Sequence, residues 1–396
     1  MNDNLTLHDV REVNRKNILK SLLNCDRDIR RDELAMENGI SVMTVKKIIA
    51  EFLSCKIVEE KDLQSTVGRR PKVLKIADLY GAIACVSLTS NEYFSYKIID
   101  FHKNILEERQ LIIQEQFSYK ENLLQMEKNL QKDLEKTGLI CVGICLSVPS
   151  AYYEEEDMVN CDLIPDFFNL HLKKEFQNFF GIKNVSVVHD VFAAAQAEYN
   201  NICHANESLF YFYVGYGVGG AYINENGWQN GYDLVAGEIG QILYQIHGEE
   251  RTLESLVSIP GILEQIKNEC GQSINFYEAM SQYKRGNTGV KKIIDEAVLK
   301  ISRVVYNISW IINPTYIIIG GIYSSFIRLV VDSCNLYNQR MKKLPIRNSV
   351  QVRPSVLKDG ETEGCYNIIL EQWIDNVASG ICEQEGQTGK KEYSYG

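Results

Sequence analysis

The sequence predicts an α/β body of two similar lobes, carried behind a small helical head that closes on a β-hairpin. The body is predicted by apolar strand-like runs followed by strand–helix alternation, a succession that occurs twice. The head is predicted by three short amphipathic segments, then two strand-like runs around a loop containing Gly68-Arg69-Arg70-Pro71. With 396 residues, 45% apolar and 24% charged, the chain can fill ordinary globular cores. That length also suggests about two or three domains.

In the head, Asn14 to Leu23 places Ile18, Leu19, Leu22 and Leu23 on one helical face. Arg30 to Asn38 forms a second short helix, and Gly39 suits its C-terminal turn. Ser41 caps a third helix over Val42 to Leu53. Val42, Val45, Ile49 and Phe52 recur at helical spacing and are expected in the core. Met43, Thr44, Lys46 and Lys47 then lie on the other side, near the exposed N-terminal half. Lys56 to Glu60 and Lys72 to Ile76 read as the two strands of a wing. Three short helices alone make a generic bundle, and a basic loop alone is solvated surface. In this order they read as a winged helix-turn-helix, whose recognition helix meets base edges in the major groove. Arg69 and Arg70, stiffened by Pro71, suit a narrow minor groove.

Charge divides along the same line. The formal net charge is −10, yet residues 1–80 hold 15 Lys and Arg against 13 Asp and Glu. The remainder holds 27 against 39. Phosphate binding needs clustered cations, which excludes the acidic body as a nucleic-acid surface and leaves the head as the candidate.

In the body, Tyr80 to Leu88, Tyr93 to Asp100 and Leu139 to Val148 read as apolar strands. A helix bearing Leu123, Leu124, Met126, Leu130 and Leu134 lies between the last two. Val185 to Val188 is a strand leading directly into a helix, Val191 to Tyr199. Leu209 to Val214, Ala221 to Asn224 and Tyr316 to Ile319 repeat strand character. Lys291 to Ile312 is a long helix with an apolar stripe from Ile293 to Ile311, expected in the core. Ala77 to Tyr80 is the expected hinge between head and body. The boundaries follow as 1–78 for the head, 79–200 and 201–385 for the lobes, and 386–396 for a disordered tail. No run approaches a membrane span, and the N-terminus lacks a signal-peptide pattern. The eleven cysteines include no CxxC pair. The expectation is a reduced, cytoplasmic protein.

The order of helix, helix, recognition helix and then Ser65-Thr66-Val67-Gly68-Arg69-Arg70-Pro71 resembles the regulators of the ROK family (repressor, open reading frame, kinase). Its xylose- and N-acetylglucosamine-responsive repressors are the nearest type. The resemblance implies the ribonuclease H-like fold of actin and hexokinase, with ligand in the cleft between lobes. Family kinases hold nucleotide phosphates on two glycine-rich hairpins, the first reading D-x-G-G-T. Here the matching stretch is Ser87-Leu88-Thr89-Ser90-Asn91, without the aspartate or the glycines that phosphate and magnesium require. The second hairpin, Gly215-Tyr216-Gly217-Val218-Gly219-Gly220, resembles G-T-G-I-G-G with tyrosine in place of threonine. Gly320-Gly321 matches an adenosine-side motif and serves equally as a turn. Phosphoryl transfer is expected to be lost.

The resemblance also carries sugar contacts onto this sequence. His189-Asp190 matches N-D, whose aspartate is the family's base, so Asp190 becomes a vestigial base position; read alone, it could simply cap the following helix. Gly237-Glu238-Ile239-Gly240-Gln241 matches G-E-I-G-H, and Thr252-Leu253-Glu254 matches C-L-E. The implied ligand residues are His189, Asp190, Glu238, Gln241 and Glu254, for a sugar, amino sugar or sugar phosphate. The family's zinc cysteines have no counterpart in His247 to Thr252, so neither metal nor cofactor is expected. The implied function is a DNA-binding regulator, a repressor by type, with a double-stranded operator and a carbohydrate effector as partners. A homodimer or homotetramer is implied, with Ser41, Met43, Thr44, Lys46, Lys47, Arg69 and Arg70 on DNA. Two alternatives stay open: a sugar kinase with a regulatory head, and a regulator that no longer senses a small molecule.

Overall fold

Ser41 starts the third helix of the head as its residue type dictates. Its Oγ accepts the Thr44 N–H at 3.1 Å, and its extended backbone (φ −71°, ψ 146°) turns the chain into the helix. The computed structural model describes residues 7–25, 28–62, 72–78, 80–161, 164–341 and 350–380. Its helices α1 (Leu7–Leu23), α2 (Arg31–Glu37) and α3 (Val42–Ser54) precede an antiparallel hairpin of β1 (Val58–Asp62) and β2 (Lys72–Ile76). Ile29 and Leu74 exchange backbone hydrogen bonds (3.1 and 2.8 Å), adding a one-residue bridge to the hairpin's edge. Leu19, Ile29, Leu34, Val45, Ile48, Ile49, Phe52, Ile57 and Leu74 fill the core of this head. Val42 is exposed, contrary to the spacing argument, and Ile48 takes its place inside. Val42 is the first residue of the helix, ahead of the turn where the inward face begins.

The chain divides into two compact units. The first takes in the head, the body strands up to Val148, residues 154–188 and the chain from Cys365 onward. Its sheet is built from β3 (Gly81–Ser87), β4 (Tyr93–Asp100), β5 (Ile105–Ile112), β6 (Ile140–Val148) and β7 (Val185–His189). Their order across the sheet is β5-β4-β3-β6-β7. Helix α4 (Tyr119–Thr137) starts on a capping box of Ser118 and Glu121 and ends at left-handed Gly138. Helix α5 (Leu172–Phe180) follows. The expected hinge is fastened rather than free. Lys75 and Asp78 pair at 2.5 Å, and His102 Nε2 lies 3.1 Å from Asp78. Tyr80 stacks on Phe101 and meets Trp373.

The second unit contains α6 (Asp190–Ile202), then β8 (Leu209–Val214), β9 (Val218–Asn224) and the short β10 (Gly227–Trp228). A hairpin of β11 (Leu243–Ile246) and β12 (Glu249–Thr252) leads into α7 (Leu253–Val257), α8 (Ile259–Cys270), α9 (Phe276–Lys284) and α10 (Thr288–Ile311). Then come β13 (Tyr316–Gly320), α11 (Ser324–Met341) and β14 (Gln351–Pro354), while α12 (Gly360–Ala378) begins in this unit and from Cys365 belongs to the first. The sheet order is β10-β9-β8-β13-β14. Numbered within its own unit, each sheet therefore runs third, second, first, fourth, fifth. In each, the first three strands are antiparallel and the fourth pairs parallel to the first. The two sheets thus share one strand order. The α10 stripe is buried from Val290 to Ile308, but Ile311, at the helix end, is 82% exposed against expectation.

Among the described residues no helix is long and apolar enough to cross a membrane. Among the described residues, nine cysteines take part in no disulfide. Cys55, at the end of α3, is disulfide-bonded, so the expectation of a wholly reduced set fails there.

Candidate functional site

The predicted site residues fall in two groups, one on the head and one in the second unit. On the head, Val45, Ile48, Ile49 and Phe52 turn one face of α3 inward, leaving Ser41, Met43, Lys46 and Lys47 exposed on its N-terminal half. Thr44 is half-buried and its hydroxyl pairs with Ser41 Oγ at 2.9 Å, so it belongs to the cap. Arg69 and Arg70 lie outside the described residues, as does the 386–396 tail. The opposite end of α3 is held by a residue that the sequence reading passed over. Arg15 on α1 donates to Glu51 of α3 from Nε and Nη2 (2.9 and 2.7 Å), and from Nη1 to the Ala378 carbonyl at the end of α12 (3.0 Å). Lys16–Asp375 and Lys20–Glu371 ion pairs fasten the same two helices.

The five implied ligand residues all fall in the second unit. Asp190 is the first residue of α6, while His189 holds the cap position without a side-chain cap bond. Asp190 Oδ1 accepts the Val191 N–H at 2.6 Å and lies 3.3 Å from His189 Nε2. Burial lowers the His189 pKa, against the pull of Glu238 and a hydrogen bond to the Pro149 carbonyl. Desolvation pushes Asp190 up to about 7, and the Glu238 charge adds to it, while the Val191 N–H opposes. Neutral imidazole, a carboxyl near its midpoint and a second carboxylate thus share one locality. Gly237 brings Glu238 there. At its φ of +102°, a Cβ would stand 2.1 Å from the Gly220 carbonyl, so only glycine lets this backbone lie against β9.

Glu254 is placed differently from a free sugar contact. Its Oε2 accepts the Val218 N–H at 2.8 Å, so a carboxylate already occupies the amide of the glycine hairpin. The same hairpin is drawn tight by Gly215 N–H to Gly217 O (2.9 Å) and Ile259 N–H to Gly215 O (2.8 Å). Tyr216, in the threonine position, is largely exposed, and so is Gln241.

Three neighbours were not legible in the motifs. The Phe192 ring meets His189 edge-on (5.3 Å, 76°) and stacks on Trp228 (5.8 Å, 17°). Trp228 Nε1 and Asn230 Oδ1 are shielded from solvent and have no hydrogen-bond partner among the described residues. A tryptophan directly after Gly227 was the only available signal. Carboxylates, an amide and aromatic faces together suit a polyhydroxylated ligand, which needs donors and acceptors when desolvated.

The chain is 24% identical over 327 residues to the xylose repressor of Staphylococcus xylosus, covering 78% of this chain and 82% of that one. Among solved structures, a ROK family transcriptional regulator described as a homologue of the E. coli Mlc protein matches with a TM-score of 0.75 at 18% identity. The match covers 95% of this chain and 98% of that one. A ROK family glucokinase from Streptomyces griseus, bound to glucose and AMPPNP, matches with a TM-score of 0.61 at 16% identity over 73% of this chain and 99% of that one. The likeness thus extends to kinases, but in the glucokinase it stops short of about a quarter of this chain. The ROK family pattern itself matches residues 90–366. A match of that span makes this chain a member of the ROK family.

Proposed function

We propose that the protein is a sugar-responsive DNA-binding repressor whose head, residues 1–78, is a winged helix-turn-helix. The observation that carries this reading is α3: its inner face is buried and its N-terminal half presents Ser41, Met43, Lys46 and Lys47 to solvent. That is what a helix entering the major groove requires. Homology to a repressor supports the same conclusion. Lys46 and Lys47, with Arg69 and Arg70, carry phosphate and groove contacts, and Met43 lies nearer the bases. A DNA-reading role requires residence in the cytoplasm. Trp310, Ile311 and Leu336 are exposed apolar side chains available to the expected homodimer or homotetramer.

The effector is a carbohydrate held by Asp190, Glu238 and His189, with Gln241 and the second oxygen of Glu254 within the same set. Phosphoryl transfer is not the activity. The first phosphate hairpin lacks its aspartate and glycines, and in the second a glutamate carboxylate already caps the Val218 amide, where a phosphate would meet like charge.

Helix α12 supplies the coupling. At its start, Gly364 packs on the Ala193 carbonyl of α6 so closely that a Cβ would stand 1.8 Å away. Ser355, in the chain leading into α12, donates to Glu198 of α6. At its end, α12 holds α1 and, through Arg15, the recognition helix. In this proposal a ligand engaging the first residue of α6 acts on the start of α12, and the effect on the head runs along that helix. Replacing Lys46 and Lys47 together by alanine should weaken binding to a selected DNA duplex and reduce its salt dependence by about two phosphate contacts. Unchanged affinity and salt slope would remove α3 as the reading helix.

A further inference from the structure

We propose that Trp228 and Asn230 form a specificity-determining half of the ligand site, one that binds an uncharged sugar hydroxyl and selects an unphosphorylated sugar. The inference rests on the carbohydrate reading above and names the class of sugar. An indole N–H can only donate, and an amide oxygen can only accept. Both atoms are shielded and unpaired among the described residues, two positions apart in one segment. Buried polar groups are normally satisfied, so such a pair calls for a partner that accepts and donates at once. A hydroxyl does both, whereas a phosphate oxygen at neutral pH only accepts.

The surroundings point the same way. Phe192 joins the two halves, with its ring against His189 on one side and Trp228 on the other. Asn230 and Glu238 sit at the two ends of one closed loop. The Ala236 N–H donates to the Asn230 carbonyl at 3.0 Å, and Gly231 and Leu234 hold left-handed backbone (φ +75° and +57°). The loop geometry is therefore set before ligand arrives, which lowers the ordering cost of binding. The carboxylate of Glu238 on the far side disfavours an anion. Asp190 is also raised toward neutrality, which suits a group hydrogen-bonding to hydroxyls.

The test is calorimetric titration of the full chain with D-xylose, D-glucose and N-acetyl-D-glucosamine, and with D-glucose 6-phosphate and N-acetyl-D-glucosamine 6-phosphate. Trp228→Phe keeps an aromatic ring on Phe192 and removes only the N–H. Asn230→Ala removes the acceptor, and Asn230→Ser is the milder form if that variant fails to fold. Asp190→Asn with Glu238→Gln probes the other half. The expected result is that a neutral sugar binds, that its phosphate binds more weakly, and that Trp228→Phe and Asn230→Ala each weaken binding about tenfold or more. Binding unchanged in these variants but lost in the Asp190 and Glu238 variant would overturn the subsite and leave the sugar sensor standing. Tighter binding of a phosphorylated sugar would overturn the selectivity. Binding of none of the five compounds by a chain that still binds DNA would overturn both this inference and the carbohydrate reading.

Discussion

Replacing Arg15 by methionine keeps the aliphatic stem and removes only the guanidinium that ties α1 to both α3 and α12. Three hydrogen bonds disappear: two to Glu51 at 2.9 and 2.7 Å, and one to the Ala378 carbonyl at 3.0 Å. A hydrogen bond to a charged group contributes roughly 1.5–3 kcal/mol net. Glu51 is partly solvated and keeps its contact to Arg11, so it is not stranded, and the sum must be discounted. About 2 kcal/mol remains, a factor of roughly 30 in the folded-to-unfolded ratio, or about 4–8 °C in the melting of a unit of this size. The pH dependence identifies the source. Burial alone would raise the Glu51 pKa, but hydrogen bonds from Arg15 and Arg11 outweigh it and hold it below its ordinary 4.5. A lowered carboxylate stabilises the fold above its unfolded pKa and loses that contribution as pH falls through the folded value. Calorimetric melting of wild type and Arg15→Met should therefore differ by a constant amount from pH 6 to 8, and the gap should narrow as pH falls below 4.5 through the folded Glu51 pKa, leaving the part due to the Ala378 carbonyl. Equal melting at pH 7, within about 0.5 kcal/mol, would refute the claim that Arg15 fastens the head to α12.

Other consequences are equally specific. Gly364→Ala places a Cβ 1.8 Å from the Ala193 carbonyl, and forcing α12 away from α6 should cost about 3 kcal/mol in urea unfolding. It should also reduce the effect of bound sugar on DNA affinity. Asp190 is raised to about 7, so its neutral form favours folding and that favour is lost as pH rises through 7. Asp190→Asn should therefore gain melting temperature relative to wild type between pH 5 and pH 8, and a constant difference would refute the shift. Glu254→Gln retains an acceptor for the Val218 N–H and should unfold nearly as wild type, whereas Glu254→Ala should lose about 1–2 kcal/mol in denaturant titration. Equal loss in both would mean that the charge, rather than the hydrogen bond, holds the hairpin.

Much of the fold could be read from residues because it is set by local periodicity. The α3 face, its Ser41 cap, the hairpin and the two strand-rich lobes all follow from spacing and turn chemistry. The errors lie at helix ends. Val42 and Ile311 fit an apolar stripe, but each sits in a terminal turn beyond the surface that the helix covers. The candidate site was legible where the family motifs reach it, at His189, Asp190 and Glu238. Trp228 and Asn230 were not, because a two-residue strand and its loop have no period to detect. Arg15 was not legible either. Its partners are 36 and 363 positions away in the chain, and a charge on a helix face looks the same whether solvated or paired. Glu254 matches a ligand motif in sequence, yet one of its oxygens serves a backbone amide, a use that no motif distinguishes.

The central claim, that carbohydrate in the second unit changes DNA reading by the head, is tested most directly by one reciprocal measurement. Fluorescence anisotropy of the full chain on a duplex selected from a random pool would be followed with and without a saturating sugar from the panel above. The account predicts salt-dependent, sequence-selective binding that the sugar weakens, and DNA that weakens sugar binding by the same factor. Sugar binding that leaves DNA affinity unmoved, or no preference for any duplex, would contradict it.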